Sequence, residues 1–202
     1  MLLTLFIKGG PLMWPLLLTS MISIGVVFER MIFLGREKRL RDPKAVAMIL
    51  THTEKGQIEA GLAAGKDSKD YVARSLVYAL SHQADSFSNA LLLAASKELR
   101  RYGQGLSTLD TIITLAPLLG LLGTVTGMIH AFGLLGGQGL EAQTVITGGI
   151  SEALIATAFG LFIAIVSLIP YNYLNKCQEE ARSDMEEAAT LLELLLIKAD
   201  KP

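Results

Sequence analysis

The stretches LDTIITLAPLLGLLGTVTGMIHAF, residues 109–132, and GISEALIATAFGLFIAIVSLIPYNYL, residues 149–174, decide the fold. Both lie in the interval 102–175, which contains no Lys or Arg although the chain holds 18 of them, most between Arg30 and Arg101. Within that interval only Asp110, Glu141 and Glu152 carry formal charge. The apolar runs, from about Leu109 to Leu135 and from about Val145 to Leu174, each exceed the roughly 20 residues that a helix needs to cross a bilayer. A third run, Leu12 to Phe28, is shorter, and Met31 to Leu34 extend it past the Glu29–Arg30 pair, whose long side chains can reach toward the interface. The sequence therefore predicts three transmembrane helices.

Working outward, the composition agrees. The chain has 202 residues, 51% hydrophobic and 18% charged, with a mean hydropathy of +0.45. That is too apolar for an ordinary soluble domain. A net charge of −1 and the lack of a basic stripe with interleaved aromatics argue against a nucleic-acid partner. Cys177 is the only cysteine, so no intramolecular disulfide can form, and no CxxC pair or His/Cys cluster points to a metal or a cofactor.

Charge placement predicts the topology. Arg36, Lys38, Arg39, Arg41 and Lys44 follow the first span, Lys97, Arg100 and Arg101 precede the second, and Lys176 and Arg182 follow the third. The 136–144 loop has no basic residue. The positive-inside rule then gives residues 1–34 as an outside N-terminus and first span, 35–105 as a cytoplasmic helical domain and 106–135 as the second span. It gives 136–144 as an outside loop, 145–174 as the third span and 175–202 as a cytoplasmic C-terminal helix; the resemblance given below makes the outside the periplasm. Basic residues after the first run and no small-x-small site behind it mark an uncleaved anchor, and Trp14 suits the outer interface. The expected class is an all-α integral membrane protein with long cytoplasmic helical extensions.

In the cytoplasmic part Asp42-Pro43 reads as a helix start, with Asp as cap and Pro at the first helical position. Gly56, Gly61 and Gly65 punctuate short helices after it. Tyr71–His82 reads as a helix with Val72, Leu76, Ala79 and Leu80 on one face. From Phe87 a helix of ~45 residues could run on into the second span, with Gly103 and Gly105 the places to interrupt it. Beyond the third span, Ala181, Met185, Ala188, Leu192, Leu195 and Ala199 form an apolar stripe opposite five glutamates.

Indexed at 100° per residue, Asp110, Ile113, Thr114, Pro117, Gly120, Thr124, Gly127 and Ala131 fall in one sector of the second span, about 140° wide. In the third span Gly149, Ala153, Thr157 or Ala156, Gly160, Ala164 and Ser167 make a small-residue seam. Small residues gain nothing from acyl chains, so these faces are expected to meet protein or water. A carboxylate inside a span costs on the order of 2.5–3.5 kcal/mol, so Glu152 either faces an internal polar cavity or is solvated near the outer loop. Glu152 and Thr157, five positions apart, point ~140° apart and cannot share one radius. Asp110, near the inner end of its span, and His130, near the outer end, suit solvated, capping or minor proton-handling roles.

Taken together, these segments, with GGPLMWPLLLTSMISIGVVFERMIFL at residues 9–34, resemble the family of ExbB, TolQ and MotA, the larger subunits of proton-driven motors in bacterial inner membranes. Three spans favour the ExbB/TolQ branch. The resemblance implies a homo-oligomeric ring, a pentamer, enclosing two copies of the single-span helix of an ExbD- or TolR-like partner, whose aspartate carries protons. A TonB-like or TolA-like periplasm-spanning protein and membrane lipid are further implied partners, and proton flow would energise outer-membrane transport or envelope processes. On the family's pattern Glu152, Thr157 and Thr124 fall on the proton pathway or pore, and Pro117, Gly120, Gly123, Gly127 and Gly160 on motif and packing positions. No cofactor or metal is implied. The competing reading is a structural membrane scaffold without ion flux. An enzyme is disfavoured, since no nucleophile motif surrounds Ser151, and Asp110 and Glu152 sit near opposite membrane faces.

Overall fold

The computed structural model describes residues 6–133 and 142–199; most of the expected outer loop, with Glu141, lies outside the described residues. The described elements are all helices: α1 Met13–Arg39, α2 Pro43–Glu54, α3 Ile58–Gly65, α4 Tyr71–Ser81, α5 Gln83–Gly103, α6 Leu106–Gly133 and α7 Ala142–Ala199. Three are long and apolar enough to cross a membrane: Met13–Arg39, Leu106–Gly133 and the part of α7 from Thr147 to Lys198. The chain divides into two compact units, Met1–Glu29 with Gly105–Tyr173, and Arg30–Gln104 with Leu174–Pro202.

In the first unit α6 and α7 approach backbone to backbone. Glycine permits this, because a Cβ on Gly160 would overlap the carbonyl oxygen of Ala116 and come within 3.2 Å of the Gly120 Cα. A Cβ on Gly120 would lie 2.9 Å from the Thr157 Cα, and one on Gly123 2.6 Å from the Ala156 Cβ. Lipid tails are as apolar as leucine, so the association rests on dispersion and hydrogen bonds, which such an approach maximises. Met13 and Leu16 of α1 complete the packing against Ile112, Ala116 and Ile163. Pro117 and Pro170 sit inside α6 and α7, each removing one backbone donor without ending its helix.

The second unit is built like a water-soluble bundle. Ile49, Leu76 and Leu192 are fully buried, with Tyr71, Val72, Leu80, Ala181, Met185 and Ala188 around them. Fully burying a large apolar side chain from water contributes about 1.5–3 kcal/mol. The expected caps form: the Asp42 carboxylate accepts from the Ala45 N–H at 3.1 Å. Gly56 takes a positive φ of 70° between α2 and α3. Gly61, by contrast, lies buried inside α3 and does not break it, whereas α3 ends at Gly65, where a Cβ would collide with Val77 and Ile49. The ~45-residue helix is interrupted at Gln104 and at Gly105, which adopts φ 78° between α5 and α6. The non-helical Ser86 inside α5 lies just before Phe87, where that helix was expected to begin, and Ser86 Oγ accepts the Asn89 N–H at 3.4 Å beyond it.

Arg30, expected to reach toward a membrane interface, is instead folded into this unit, where further charges pair. Arg30 is 3% exposed, donates to the Arg101 carbonyl at 2.9 Å and lies over the Phe33 ring. Arg101 bridges Glu37 of α1 and Glu98 of α5, and Arg74 of α4 binds the same Glu98 at 2.8 Å. Asp70 is fully buried, and its carboxylate accepts from the Asp42 N–H at 2.7 Å and the Val72 N–H at 2.8 Å, with Arg41 at 3.5 Å. Arg41 also pairs with Asp184 of α7, which accepts a 2.6 Å bond from the Tyr71 hydroxyl. Burial and that bond push the Tyr71 hydroxyl well above the usual tyrosine range, so it stays a donor. Within the unit these pairs link α1, α4, α5 and α7.

Gly160→Ala is expected to destabilise the detergent-purified protein by about 1–3 kcal/mol, because helix backbone cannot rotate away from the added methyl. Gly35→Ala, in open space on α1, should be neutral or stabilising by up to about 1 kcal/mol. Thermal unfolding of the two variants side by side checks the pair, and equal midpoints would contradict a closed α6–α7 contact.

Candidate functional site

The residues singled out from sequence occupy α6, α7 and the turn before α1. On α6 the buried face runs through Leu109, Ile112, Ala116, Gly120, Gly123, Gly127 and Ala131, at steps of three and four. The sector read from the sequence is thus two adjacent strips. Gly120, Gly127 and Ala131 belong to the seam with α7, whereas Asp110, Thr114, Pro117 and Thr124 form a flanking strip roughly 80° wide, half-buried or exposed. Indexing by small and polar character merged the two. The larger Leu109 and Ile112, which the sector omitted, extend the buried face toward the start of α6.

On α7 the matching face carries Ala153, Ala156, Gly160, Ala164 and Ser167, all buried. A Cβ on Gly127 would lie 3.1 Å from that of Ala153, and one on Gly149 2.5 Å from that of Ala131, so the seam continues toward the start of α7. Thr157 stands at its edge, and its hydroxyl donates to the Gly120 carbonyl at 2.8 Å. The Thr124 hydroxyl donates to the Leu121 carbonyl at 2.7 Å within its own helix. Both threonine protons are thereby committed to backbone oxygens, and what remains on each hydroxyl is acceptor capacity.

Glu152 is half-buried and is not on the Thr157 side of α7. Its carboxylate lies against Gly10, in the Gly9–Gly10–Pro11 turn before α1, where Gly10 has φ 75°. Asp110 and His130 are exposed at the two ends of α6. Among the described residues no group of three or more His, Cys, Asp or Glu is placed to hold a metal ion. One polar contact escaped the sequence reading: Ser23 of α1 and Ser167 of α7, both buried, share a 2.6 Å hydrogen bond. A serine inside an apolar run has to find a partner, and that requirement on Ser23 was the available signal.

The sequence pattern of the MotA/TolQ/ExbB proton channel family matches residues 64–187. The chain belongs to this family. Over 94% of its length it is 37% identical to the ExbB-like 1 protein of Synechocystis sp., named for biopolymer transport, and it covers 77% of that relative. It is 38% identical to the biopolymer transport protein ExbB of Neisseria gonorrhoeae, over 49% of this chain and 45% of that one. It is 36% identical to the Tol-Pal system protein TolQ of Haemophilus influenzae, over 51% of this chain and 47% of that one. The chain thus spans less than half of the length of these last two.

The family is one of proton channels, and the three apolar helices fit a membrane location. The matched segment includes Thr124, Glu152, Thr157 and Gly160, whereas Gly10 and Ser23 lie outside it.

Ser23→Ala and Ser167→Ala are each expected to cost about 0.6–1.7 kcal/mol, by leaving a buried hydroxyl unpaired. The double variant should lose less than the sum, because it removes both groups that needed a partner. A double-mutant cycle on unfolding in detergent measures this, and strict additivity would show that the pair is not coupled.

Proposed function

We propose that this chain is the large subunit of a proton-motive-force-driven motor of the bacterial inner membrane. Copies of it form a ring, a pentamer, around two transmembrane helices of an ExbD- or TolR-like partner. Proton flow is coupled to energisation of outer-membrane transport or of envelope processes, through a TonB-like or TolA-like protein that spans the periplasm. The N-terminus is periplasmic, and residues 35–105 and the C-terminus are cytoplasmic. Glu152, Thr157 and Thr124 contribute to the proton pathway, with Asp110 and His130 in minor roles.

The observation that carries this reading is the closed seam flanked by polar groups. Gly160 against Ala116 leaves no room between α6 and α7 for a side chain, still less for an ion, so one copy encloses no passage there. The polar groups beside the seam, Thr124 on its flank and Asp110 and Thr114 in the open, need a second surface to complete a path. A partner helix inside a ring supplies one. Each proton crossing the field delivers about 2.3 kcal/mol per 100 mV, enough to drive a conformational step of a few kcal/mol. Protonation of an acid on the partner helix neutralises it and lowers its desolvation cost, and hydroxyls with only acceptor capacity free favour that protonated form. The seam also supports packing as its whole purpose, which is the scaffold reading.

In vesicles holding this chain with its single-span partner, Glu152→Gln and Thr124→Val are each expected to lower proton flux at least tenfold, a barrier change of about 1.4 kcal/mol. Ring assembly, followed by native mass measurement, should persist. Thr157→Val removes the bond to Gly120 as well, so Thr157→Ser, which keeps the hydroxyl, should retain more flux. Unchanged flux in all of these variants, with assembly intact, would favour the scaffold. For the topology, Cys177 as the only thiol is a ready probe. In spheroplasts it should react with a membrane-permeant maleimide and not with an impermeant one, and labelling by both would reverse the orientation.

A further inference from the structure

Gly10 occupies a position that only glycine fills easily, and the reason is a neighbour from the far end of the sequence. Its φ of 75° lies in the left-handed region that side chains avoid. A Cβ built there would overlap Oε1 of Glu152, lying 2.7 Å from its Cδ and 3.1 Å from its Cγ. No other residue contributes one of the three nearest atoms. At Gly9, one position earlier, the same atom would meet Met13 and Ile155, residues of the core packing. The two adjacent glycines therefore differ in what they protect: Gly9 leaves room for the core, Gly10 for a carboxylate.

We infer that Gly10 is a positioning residue for Glu152: the turn before α1 provides a side-chain-free seat that fixes where the Glu152 carboxylate sits. The inference rests on the place given to Glu152 in the proton pathway above. The obstructing atoms are the tip of a flexible side chain, not helix backbone. A side chain at position 10 thus displaces the carboxylate and leaves α6 and α7 in place, and flux should change while the fold persists. Gly10 lies outside the segment that matches the family pattern, whereas Glu152 lies inside it.

The test uses the full chain with its single-span partner in vesicles, read by proton flux and by thermal unfolding. Gly10→Asn is the informative variant, since asparagine tolerates a positive φ while adding the Cβ. Gly56→Asn is its control, with φ 70° and no neighbour within 4 Å. Gly10→Asn is expected to lower flux on the order of tenfold, as misplacement of a working group does. Its unfolding midpoint should match that of Gly56→Asn, whose flux should equal that of the parent chain. Adding Glu152→Asp, one methylene shorter, to Gly10→Asn should restore flux severalfold. Flux in Gly10→Asn equal to that of Gly56→Asn overturns the inference. So does an assembly defect or a flux loss that Glu152→Asp fails to relieve, since Gly10 would then matter only to the fold. Glu152→Gln separates the two levels. If it is silent, the role given to Glu152 falls and the positioning role with it. If it lowers flux while Gly10→Asn does not, only the positioning role falls.

Discussion

The approach of Gly160 to the Ala116 carbonyl is the constraint from which the rest of its unit follows. Two helices brought to backbone contact gain dispersion along their whole length, and in lipid that gain is not supplemented by expulsion of water. The contact demands glycine or alanine at each step, so Ala116, Gly120, Gly123 and Gly127 face Ala153, Ala156 and Gly160. It also sets the azimuth of everything else on α7. Once Gly160 is fixed against α6, Thr157 must stand at the edge of the contact, where its hydroxyl reaches the Gly120 carbonyl. Glu152, roughly 140° from Thr157, then stands on the opposite flank of the seam, and it meets the Gly9–Pro11 turn.

The second unit solves a different problem. Its helices are amphipathic, and its core is made of large residues such as Ile49, Leu76 and Leu192 rather than of glycines. Charges that a membrane would exclude become useful there. Arg101 ties Glu37 to Glu98, and Arg41 with Asp70 and Asp184 joins the starts of α2 and α4 to α7. Arginine suits both positions, since a planar fork can satisfy two carboxylates while its face lies on an aromatic ring, Phe33 for Arg101 and Tyr71 for Arg41.

How far the sequence could be read follows from this division. The long interval without basic residues made two apolar helices legible and the run from Leu12 a third, because the energy of placing charge in lipid is large and acts residue by residue. The amphipathic stripes of α4 and of the α7 extension were legible for the same kind of reason, since the buried Val72, Leu76, Ala181 and Met185 repeat at helical spacing. What periodicity did not resolve was which of two neighbouring strips on α6 is the seam, since glycine and threonine both look unsuited to lipid. Nor did it find pairs between distant segments. Ser23 with Ser167, Arg101 with Glu37, and Gly10 with Glu152 each join positions whose proximity depends on the tertiary fold. Arg30 misled for a related reason. Next to an apolar run it looked like a snorkelling residue, while its partners, the Arg101 carbonyl and Phe33, could be paired with it only in the folded chain.

The closed seam bears on the proposal that this chain works with a partner helix. A polar path between α6 and α7 would need a gap there, and a gap would forfeit the dispersion that holds them together. Glycine has removed that option, since substituents large enough to line a channel do not fit between the helices. Polar groups confined to the flank are then costly in isolation, because a strip that carries Thr124, Thr114 and Asp110 is poorly served by acyl chains. Two arrangements lower that cost: hydroxyls can fold back onto their own backbone, as those of Thr124 and Thr114 do, and a further helix can cover the strip. The first is already complete within the chain. The residual acceptors on those hydroxyls are what a covering helix would meet, and a neutral acid satisfies an acceptor better than a carboxylate does. A path built this way discriminates between the protonated and ionised forms of a group it does not itself contain.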